Sequence, residues 1–275
     1  MSYLRLEFYP AQGLSVMITF DGKLCSIWKL NLSLSQEWIG WFWGNSSSLE
    51  LSECTGLVEM LEHFIESGAS FAGLKSLYIT STKCPTSLGR GGGCAASCDL
   101  LPNLEELVVN HLGNLNSISE LAGHRGLRFH SLRSIEVNYC NQMKYLLSCG
   151  DFIQTLPNLE VIDVRGCENL EKLFNDESGQ NISPDPMVPK LKILRLNELP
   201  KFKTLCRHKE TWPCLEQVEV WDCDGLRRLP LTNQNAGTIK KINGEPEWWD
   251  ALEWDDDQTK TSLLPVFNNW ENSVE

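Results

Sequence analysis

Leu156-Pro157-Asn158-Leu159-Glu160-Val161-Ile162-Asp163-Val164-Arg165-Gly166-Cys167-Glu168-Asn169-Leu170-Glu171-Lys172-Leu173 is the stretch that decides the fold. From Leu159 it follows the pattern L-x-x-L-x-L-x-x-C-x-x-L, with isoleucine and valine at two of the leucine positions. The alternating segment Ile162-Asp163-Val164 predicts a short strand, and the turn after it holds a small buried residue, Cys167. One such unit cannot bury its own apolar face, so it requires copies on both sides.

The copies are present. They begin at leucines separated by 30, 28, 27, 32 and 24 residues, namely Leu74, Leu104, Leu132, Leu159, Leu191 and Leu215. These periods lie in or slightly above the range of about 20–29 residues that is typical of leucine-rich repeats. The sequence therefore predicts an α/β repeat solenoid. We expect a leucine-rich-repeat horseshoe with a parallel β-sheet on the concave side and loops or short helices on the convex side.

The regularity of the pattern predicts four regions. Residues 1–45 are an irregular N-terminal repeat or cap, and residues 46–244 contain the leucine-rich repeats. Residues 245–260 form a tryptophan-rich C-terminal cap, and residues 261–275 are expected to be a disordered tail. The aromatic cluster at residues 38–43 is either an exposed contact surface or, as we favour, an apolar plug at the first edge of the sheet.

Composition narrows the functional class. The chain has 24 Lys and Arg against 36 Asp and Glu, a formal charge of −12, which argues against a nucleic-acid surface. No apolar run approaches the roughly 20 residues of a transmembrane helix. No secretory signal is evident at the start, so we expect a cytoplasmic location.

The eleven cysteines favour free thiols over a disulfide framework. Four of them occupy the same turn position of a repeat, so successive copies stack rather than pair: Cys54, Cys140, Cys167 and Cys223. A reducing compartment agrees with that interpretation. Cys84, Cys94 and Cys98 provide three thiolates without an obvious fourth zinc ligand, so a loop is the preferred interpretation of residues 83–100.

No catalytic spacing is visible. The chain lacks a G-x-S-x-G elbow and an H-E-x-x-H helix, and its run Gly91-Gly92-Gly93 lacks the spacing of a phosphate loop. The sequence therefore predicts no enzyme, no metal site and no cofactor in this chain.

Alternation along the strands predicts which side chains leave the core. In the repeat that starts at Leu159, we expect Ile162 and Val164 to be buried, and Asp163 and Arg165 to be exposed. Applied to every repeat, this rule predicts a protein-binding concave face formed by Tyr78, Asn110, Glu136, Asn138, Asp163, Arg165, Arg195, Asn197, Glu219 and Trp221.

The last repeat carries a resemblance to a known family. The segment from Trp212 to Pro230, followed by Glu247-Trp248-Trp249 and Leu252-Glu253-Trp254-Asp255-Asp256, resembles the C-terminal end of plant coiled-coil nucleotide-binding leucine-rich-repeat (NLR) disease-resistance proteins. The repeated L-P-N-L-E opening at Leu101 and Leu156 is similar to them too. The family's nucleotide-binding motifs are absent here. The resemblance therefore implies that ATP or ADP binds only in an upstream module.

The resemblance also implies a function. It implies a sensor and autoinhibitory domain of an intracellular immune receptor, with a pathogen effector, a guarded host protein or the receptor's own nucleotide-binding module as partner. Two alternatives are a substrate-recruiting subunit of a ubiquitin ligase and an extracellular receptor domain. The first requires an F-box-like segment, and the second requires a signal peptide.

Overall fold

The computed structural model describes residues 3–9, 13–20, 23–30, 46–52, 69–80, 99–119, 129–148, 156–175, 188–205 and 212–269. The aromatic cluster at 38–43, the three cysteines of the loop at 83–100 and Cys54 lie outside these ranges. None of the helices in the described ranges has the length and apolar character that crossing a bilayer requires.

A sheet of twelve strands runs the length of the molecule. Its parallel part contains one strand per repeat: β4 (Ser48–Ser52), β5 (Ser76–Thr80), β6 (Glu106–Asn110), β7 (Ser134–Asn138), β9 (Val161–Arg165), β11 (Ile193–Asn197), β12 (Gln217–Trp221), β13 (Lys241–Gly244) and β14 (Phe267–Asn268). Each strand pairs with its neighbour at the same repeat position, for example Ile162 with Leu194. This arrangement confirms the predicted parallel repeat solenoid.

The core follows from the alternation. In β9 the burial pattern puts Ile162 and Val164 inside and leaves Arg165 exposed, as predicted. Leu159 and Leu170, which flank the strand, are also fully buried. The same pattern in β5, β7, β11 and β12 makes one continuous hydrophobic core.

The opposite side of the middle repeats differs from the predicted loops or short helices. It carries a second parallel sheet, in which β8 (Tyr145–Ser148) pairs with β10 (Lys172–Asn175). Thr204 of the following repeat continues it through a single bridge to Lys172. The reason is packing: short apolar runs such as Leu146-Leu147 and Leu173-Phe174 return to the core immediately after the turn, which leaves no room for a helix.

The N-terminal region extends the long sheet. Strands β1 (Tyr3–Tyr9), β2 (Gly13–Phe20) and β3 (Lys23–Leu30) are antiparallel to one another, and β1 lies parallel to β4. A three-stranded meander thus stands where the sequence predicts an irregular repeat or cap. Its second connection is Asp21-Gly22, a sequence favoured in two-residue hairpins.

The C-terminal region is ordered up to residue 269, which contradicts the disordered tail predicted for residues 261–275 over the part that the structure describes. After a short helix, α1 (Pro246–Asp250), the chain forms α2 (Asp257–Leu263), a 3-10 helix (Leu264–Val266) and β14. Leu263 is fully buried, and the ring of Phe267 stacks on Trp249 with centroids 4.5 Å apart. These apolar contacts order a segment whose sequence lacks the repeat pattern.

Charged residues also align between repeats. The residue just before each strand alternates in sign over seven successive repeats, and we call this set the charge ladder: Lys75, Glu105, Arg133, Glu160, Lys192, Glu216 and Lys240. Glu160 contacts both neighbours, with N–O distances of 3.6 Å to Arg133 and 3.0 Å to Lys192. Hydrogen bonds from Lys75 and Lys240 lower the pKa values of Glu105 and Glu216. Opposite charges side by side on neighbouring strands attract, so the alternation favours the stacking of successive repeats.

Candidate functional site

The outward side chains of the long sheet form three parallel rows on what we call the polar face. The start row contains Ser76, Glu106, Ser134, Val161, Ile193, Gln217 and Lys241. The central row contains Glu50, Tyr78, Val108, Glu136, Asp163, Arg195, Glu219 and Asn243. The end row contains Thr80, Asn110, Asn138, Arg165, Asn197 and Trp221.

All ten residues predicted for the concave face lie in the central and end rows. Arg165 is exposed, and the other nine are partly exposed. Strand register brings equivalent residues of successive repeats side by side, which is why these ten residues form two adjacent rows. Asp163, which the sequence predicts to be exposed, is among the nine partly exposed residues.

Arg195 explains the partial burial of Asp163. Its guanidinium lies 3.4 Å from the carboxylate of Asp163 on one side and 3.4 Å from that of Glu219 on the other. Burial raises the pKa of the Asp163 carboxyl, and the charge of Arg195 opposes that rise. Arg195 is therefore engaged within the sheet, where its single positive charge lies between two carboxylates.

Tyr78 is held in a similar way by an acidic neighbour. Its hydroxyl donates a 2.6 Å hydrogen bond to the Glu106 carboxylate. Burial, with that hydrogen bond and the charge of Glu106, raises the pKa of Tyr78 to about 12. The phenol therefore stays protonated at neutral pH and fixes the ring over the start of β6.

Amide side chains connect the end row with the central row. The Asn138 amide donates hydrogen bonds of 2.8 Å to the Asn110 side chain and 2.7 Å to the Glu136 carboxylate. Asn110 and Asn138 therefore hold each other's side chains in place. One carboxylate oxygen of Glu136 accepts its hydrogen bond from a neutral amide rather than from a cation.

Sequence reasoning missed an apolar pair on this face. Val161 and Ile193 are directly paired in the register of β9 and β11, and both are only partly buried. They stand between Ser134 and Gln217 in the start row, so the polar face has an apolar spot near its middle. Side chains alternate along a strand, so the residue two positions before each central-row residue also points outward. Applying that rule would have identified Val161 and Ile193.

A second missed feature lies just beyond the end row. In five successive repeats the residue after the strand has a left-handed backbone, with φ between 49° and 64°: His111, Tyr139, Gly166, Glu198 and Asp222. The rings of His111 and Tyr139 stack with centroids 5.0 Å apart and an interplanar angle of 9°. A left-handed backbone at non-glycine residues leaves no signal in the repeat pattern, so the sequence did not indicate this rim.

Two charges in the central and end rows of the polar face differ from their neighbours. Within the described part of the chain, Glu136 and Arg165 form no ion pair, whereas Arg195 pairs with both Asp163 and Glu219, so that one cation lies between two carboxylates. Glu136 lies on β7 and Arg165 on the adjacent strand, β9. A partner can therefore engage these two charges without displacing an ion pair between described residues.

Comparison with known proteins gives matches over most of the chain. The family model of leucine-rich repeats in plant disease resistance proteins of the RPS2-like type matches residues 125–234. Disease resistance protein At4g27190 of Arabidopsis thaliana is 38% identical over 245 residues, which cover 86% of this chain and 24% of that protein. Probable disease resistance protein At4g27220 of the same plant is 37% identical over 243 residues, covering 88% of this chain and 26% of that protein.

A more distant relative extends the same pattern. Disease resistance protein SUMM2 of Arabidopsis thaliana is 28% identical over 178 residues, which cover 61% of this chain and 20% of that protein. The chain spans about a quarter of the length of the two more similar relatives.

Proposed function

Because this chain is a leucine-rich-repeat region of the plant NLR disease-resistance type, we propose that it is the recognition region of an intracellular immune receptor. Its polar face binds a pathogen effector or a guarded host protein. The proposal is for a binding role without catalysis, and ATP or ADP binds in a nucleotide-binding module upstream. The three relatives named above are all disease resistance proteins, which does not favour the ubiquitin-ligase alternative.

One observation supports this role above others. The polar face presents a varied set of side chains, with Arg165, Trp221 and the Val161–Ile193 pair in positions that core packing does not dictate. Arg and Trp are enriched among the residues that carry most of the binding energy in protein interfaces. An apolar centre surrounded by polar groups is also the usual arrangement of such interfaces.

The same face also provides the contact for an autoinhibitory role of this region. In the resting receptor it contacts the receptor's own nucleotide-binding module. An effector or guarded protein that competes for the face then shifts the receptor towards the active state. The shift is limited by the difference between the ligand's affinities for the two states.

The test uses a full-length receptor that contains this region. Arg165→Ala and Trp221→Ala are combined, because neither side chain is part of the core. Arg195 is left intact, since its removal would leave Asp163 and Glu219 without their cation. The matched control is Lys144→Ala with Lys203→Ala, two exposed residues on the opposite side.

We expect the double variant to lose recognition or to signal without a ligand, whereas the control behaves as the wild type. Binding to the recognised protein should weaken by at least about tenfold, because truncation of such residues commonly costs 2 kcal/mol or more. Co-immunoprecipitation and the cell-death response in leaf tissue measure the two effects. A folded double variant with unchanged recognition and unchanged resting activity would show that the polar face is only solvated surface.

A further inference from the structure

We propose that the polar face binds a protein segment of mixed charge, which places an apolar side chain on Val161 and Ile193, a carboxylate at Arg165 and a cation at Glu136. This inference rests on the proposed recognition function and specifies the chemistry of the partner. It follows from which charges of the face already form ion pairs within the protein and which do not.

Several charges on and beside the face are engaged in ion pairs within the molecule. The charge ladder pairs Glu160 with Arg133 and Lys192, and Arg195 lies between Asp163 and Glu219. A partner that engages these residues must replace contacts that the free protein already makes. They therefore contribute little net attraction.

Glu136 and Arg165 are different because neither forms an ion pair with a described residue, although the charge of Arg165 acts on the Asp163 carboxyl at longer range and opposes the rise of its pKa. Glu136 accepts one hydrogen bond from Asn138, and Arg165 is exposed. In the free protein water solvates both groups. An interface that covers them without counter-charges would bury two ions unpaired, which is costly.

The two charges have opposite signs and are close together. Asn138 is the register partner of Arg165, so Glu136 lies one strand across and two residues back. Strand spacing of about 4.8 Å and a rise of about 3.3 Å per residue place their Cα atoms about 8 Å apart. A uniformly basic or uniformly acidic partner would be repelled at one of the two points. Only a segment that carries both signs satisfies both.

The apolar contact lies within the reach of the same segment. Val161 and Arg165 are the first and last residues of β9, and they are separated by about 13 Å along the strand. An extended segment of twelve residues spans about 40 Å, so it reaches all three points. The pair Val161 and Ile193 provides the desolvated centre, while Arg165 and Glu136 determine the orientation of the bound segment.

The test selects peptides from a phage-displayed library of random dodecamers on the 275-residue chain. Four forms of the chain are compared: wild type, Arg165→Glu, Glu136→Lys and the control Lys203→Glu, which reverses an exposed charge on the opposite side. Circular dichroism confirms that each form is folded. The neutral variants Arg165→Gln and Glu136→Gln replace a charge-reversed form that does not fold.

The proposal predicts that the wild-type pool is enriched in peptides that carry an acid, a base and a large apolar residue. Arg165→Glu should lower the ratio of acidic to basic residues in its pool by at least about threefold, because like charges repel across an interface. Glu136→Lys should raise that ratio, and Lys203→Glu should leave it unchanged. Substitution of Val161 and Ile193 by serine should remove the apolar enrichment.

Equal acid-to-base ratios in the wild-type, Arg165→Glu and Glu136→Lys pools would overturn the proposal, as would the absence of any enriched peptide. The result is separable from the test of the proposed function. If the acid-to-base ratios of the pools change as expected, they support the proposed chemistry of the face. If the full-length receptor variants nevertheless retain recognition, only the proposed immune role fails.

Discussion

At the residue scale, the turn that follows β7, β9 and β12 places a cysteine in the core: Cys140, Cys167 and Cys223. Cys167 is fully buried there, and its thiol lies 3.5 Å from the Arg165 carbonyl oxygen. Burial raises the pKa of Cys167 to about 11 and that of Cys223 to about 12. In the described residues Cys140, Cys167, Cys214 and Cys223 are free thiols, in agreement with the sequence prediction for these four.

These thiols should differ sharply in reactivity. At pH 8 a pKa of about 11 instead of 9.0 lowers the thiolate fraction about a hundredfold, and burial excludes the reagent as well. We expect iodoacetamide to modify the exposed Cys214 in the native protein while Cys140, Cys167 and Cys223 react only after denaturation. Peptide mass spectrometry measures the modification. Equal labelling of Cys167 and Cys214 at early times would contradict the buried position.

Gly166 is the one glycine of the left-handed rim, with φ at +64°. A Cβ atom added there would lie 2.4 Å from the Tyr139 ring. We expect Gly166→Ala to lower the free energy of unfolding by about 1–3 kcal/mol, from backbone strain and from displacement of that ring. Gly113→Ala is the control, since nothing lies within 4 Å of its added Cβ.

Urea unfolding measures both glycine variants. Repeating Gly166→Ala in a Tyr139→Ala background separates the two causes, because the clash disappears and the strain remains. Equal stability of the Gly166 and Gly113 variants would contradict this account of the rim.

At the element scale, neighbouring strands are linked by side chains about 24 to 32 residues apart in sequence. The Asn158 amide donates to the His130 carbonyl oxygen at 2.8 Å, and the equivalent Asn103 donates to that of Ala72 at 2.8 Å. The L-P-N-L opening therefore uses its asparagine to satisfy a backbone acceptor of the preceding repeat. The charge ladder forms a second row of contacts along the same edge of the sheet.

Reversing the sign of one residue in the charge ladder should lower the free energy of unfolding by more than the same charge change outside the ladder. Glu160→Lys removes two attractive contacts and places three cations in a row, with Arg133 and Lys192 on either side. We expect it to cost about 1–2 kcal/mol more than Glu168→Lys, which makes the same charge change at an exposed turn residue.

Urea unfolding at low salt and in 1 M NaCl provides the measurement for the ladder. The difference between the two variants should shrink at high salt, because the partners are partly exposed and are screened. Equal costs for Glu160→Lys and Glu168→Lys at low salt would refute a stabilising ladder.

At the scale of the whole molecule, stability depends on contacts between adjacent repeats, and the last repeat needs a cover. Trp249 provides it by stacking on Phe267, while Trp254 packs edge-on against Trp249 at 5.1 Å. The helix α2 begins with Asp256 as its N-cap, which accepts a 2.7 Å hydrogen bond from the Thr259 amide. Residues 257–269 are therefore a structural part of the solenoid.

Deletion of residues 257–275 should loosen the C-terminal end and leave the middle intact. Amide hydrogen exchange in β13 and α1 should accelerate, because Trp249 loses its stacking partner and the last strand loses its neighbour. Exchange in β9, several repeats away, is the internal control. Unchanged exchange in β13 would show that the tail contributes nothing to the cap.

The sequence by itself determined the repeat, the register and the two faces of the long sheet. A motif such as Leu159 to Leu170 specifies which residues point inward because side chains alternate along a strand, and copies of the motif must stack to bury them. For the same reason the ten predicted residues of the polar face are in the rows where alternation placed them. That inference needs only local spacing.

Only the tertiary structure decided how those residues meet their neighbours. The pairing of Arg195 with Asp163 and Glu219, and the meeting of Val161 with Ile193, depend on loops of different lengths that bring distant residues into register. The second sheet, the N-terminal meander and the ordered tail lie outside the repeat pattern, so packing at the ends and on the opposite side determines them. Charge compensation is a property of three-dimensional neighbours, which is why the sequence indicated a charged face but not which of its charges, such as Glu136 and Arg165, would form no ion pair with a described residue.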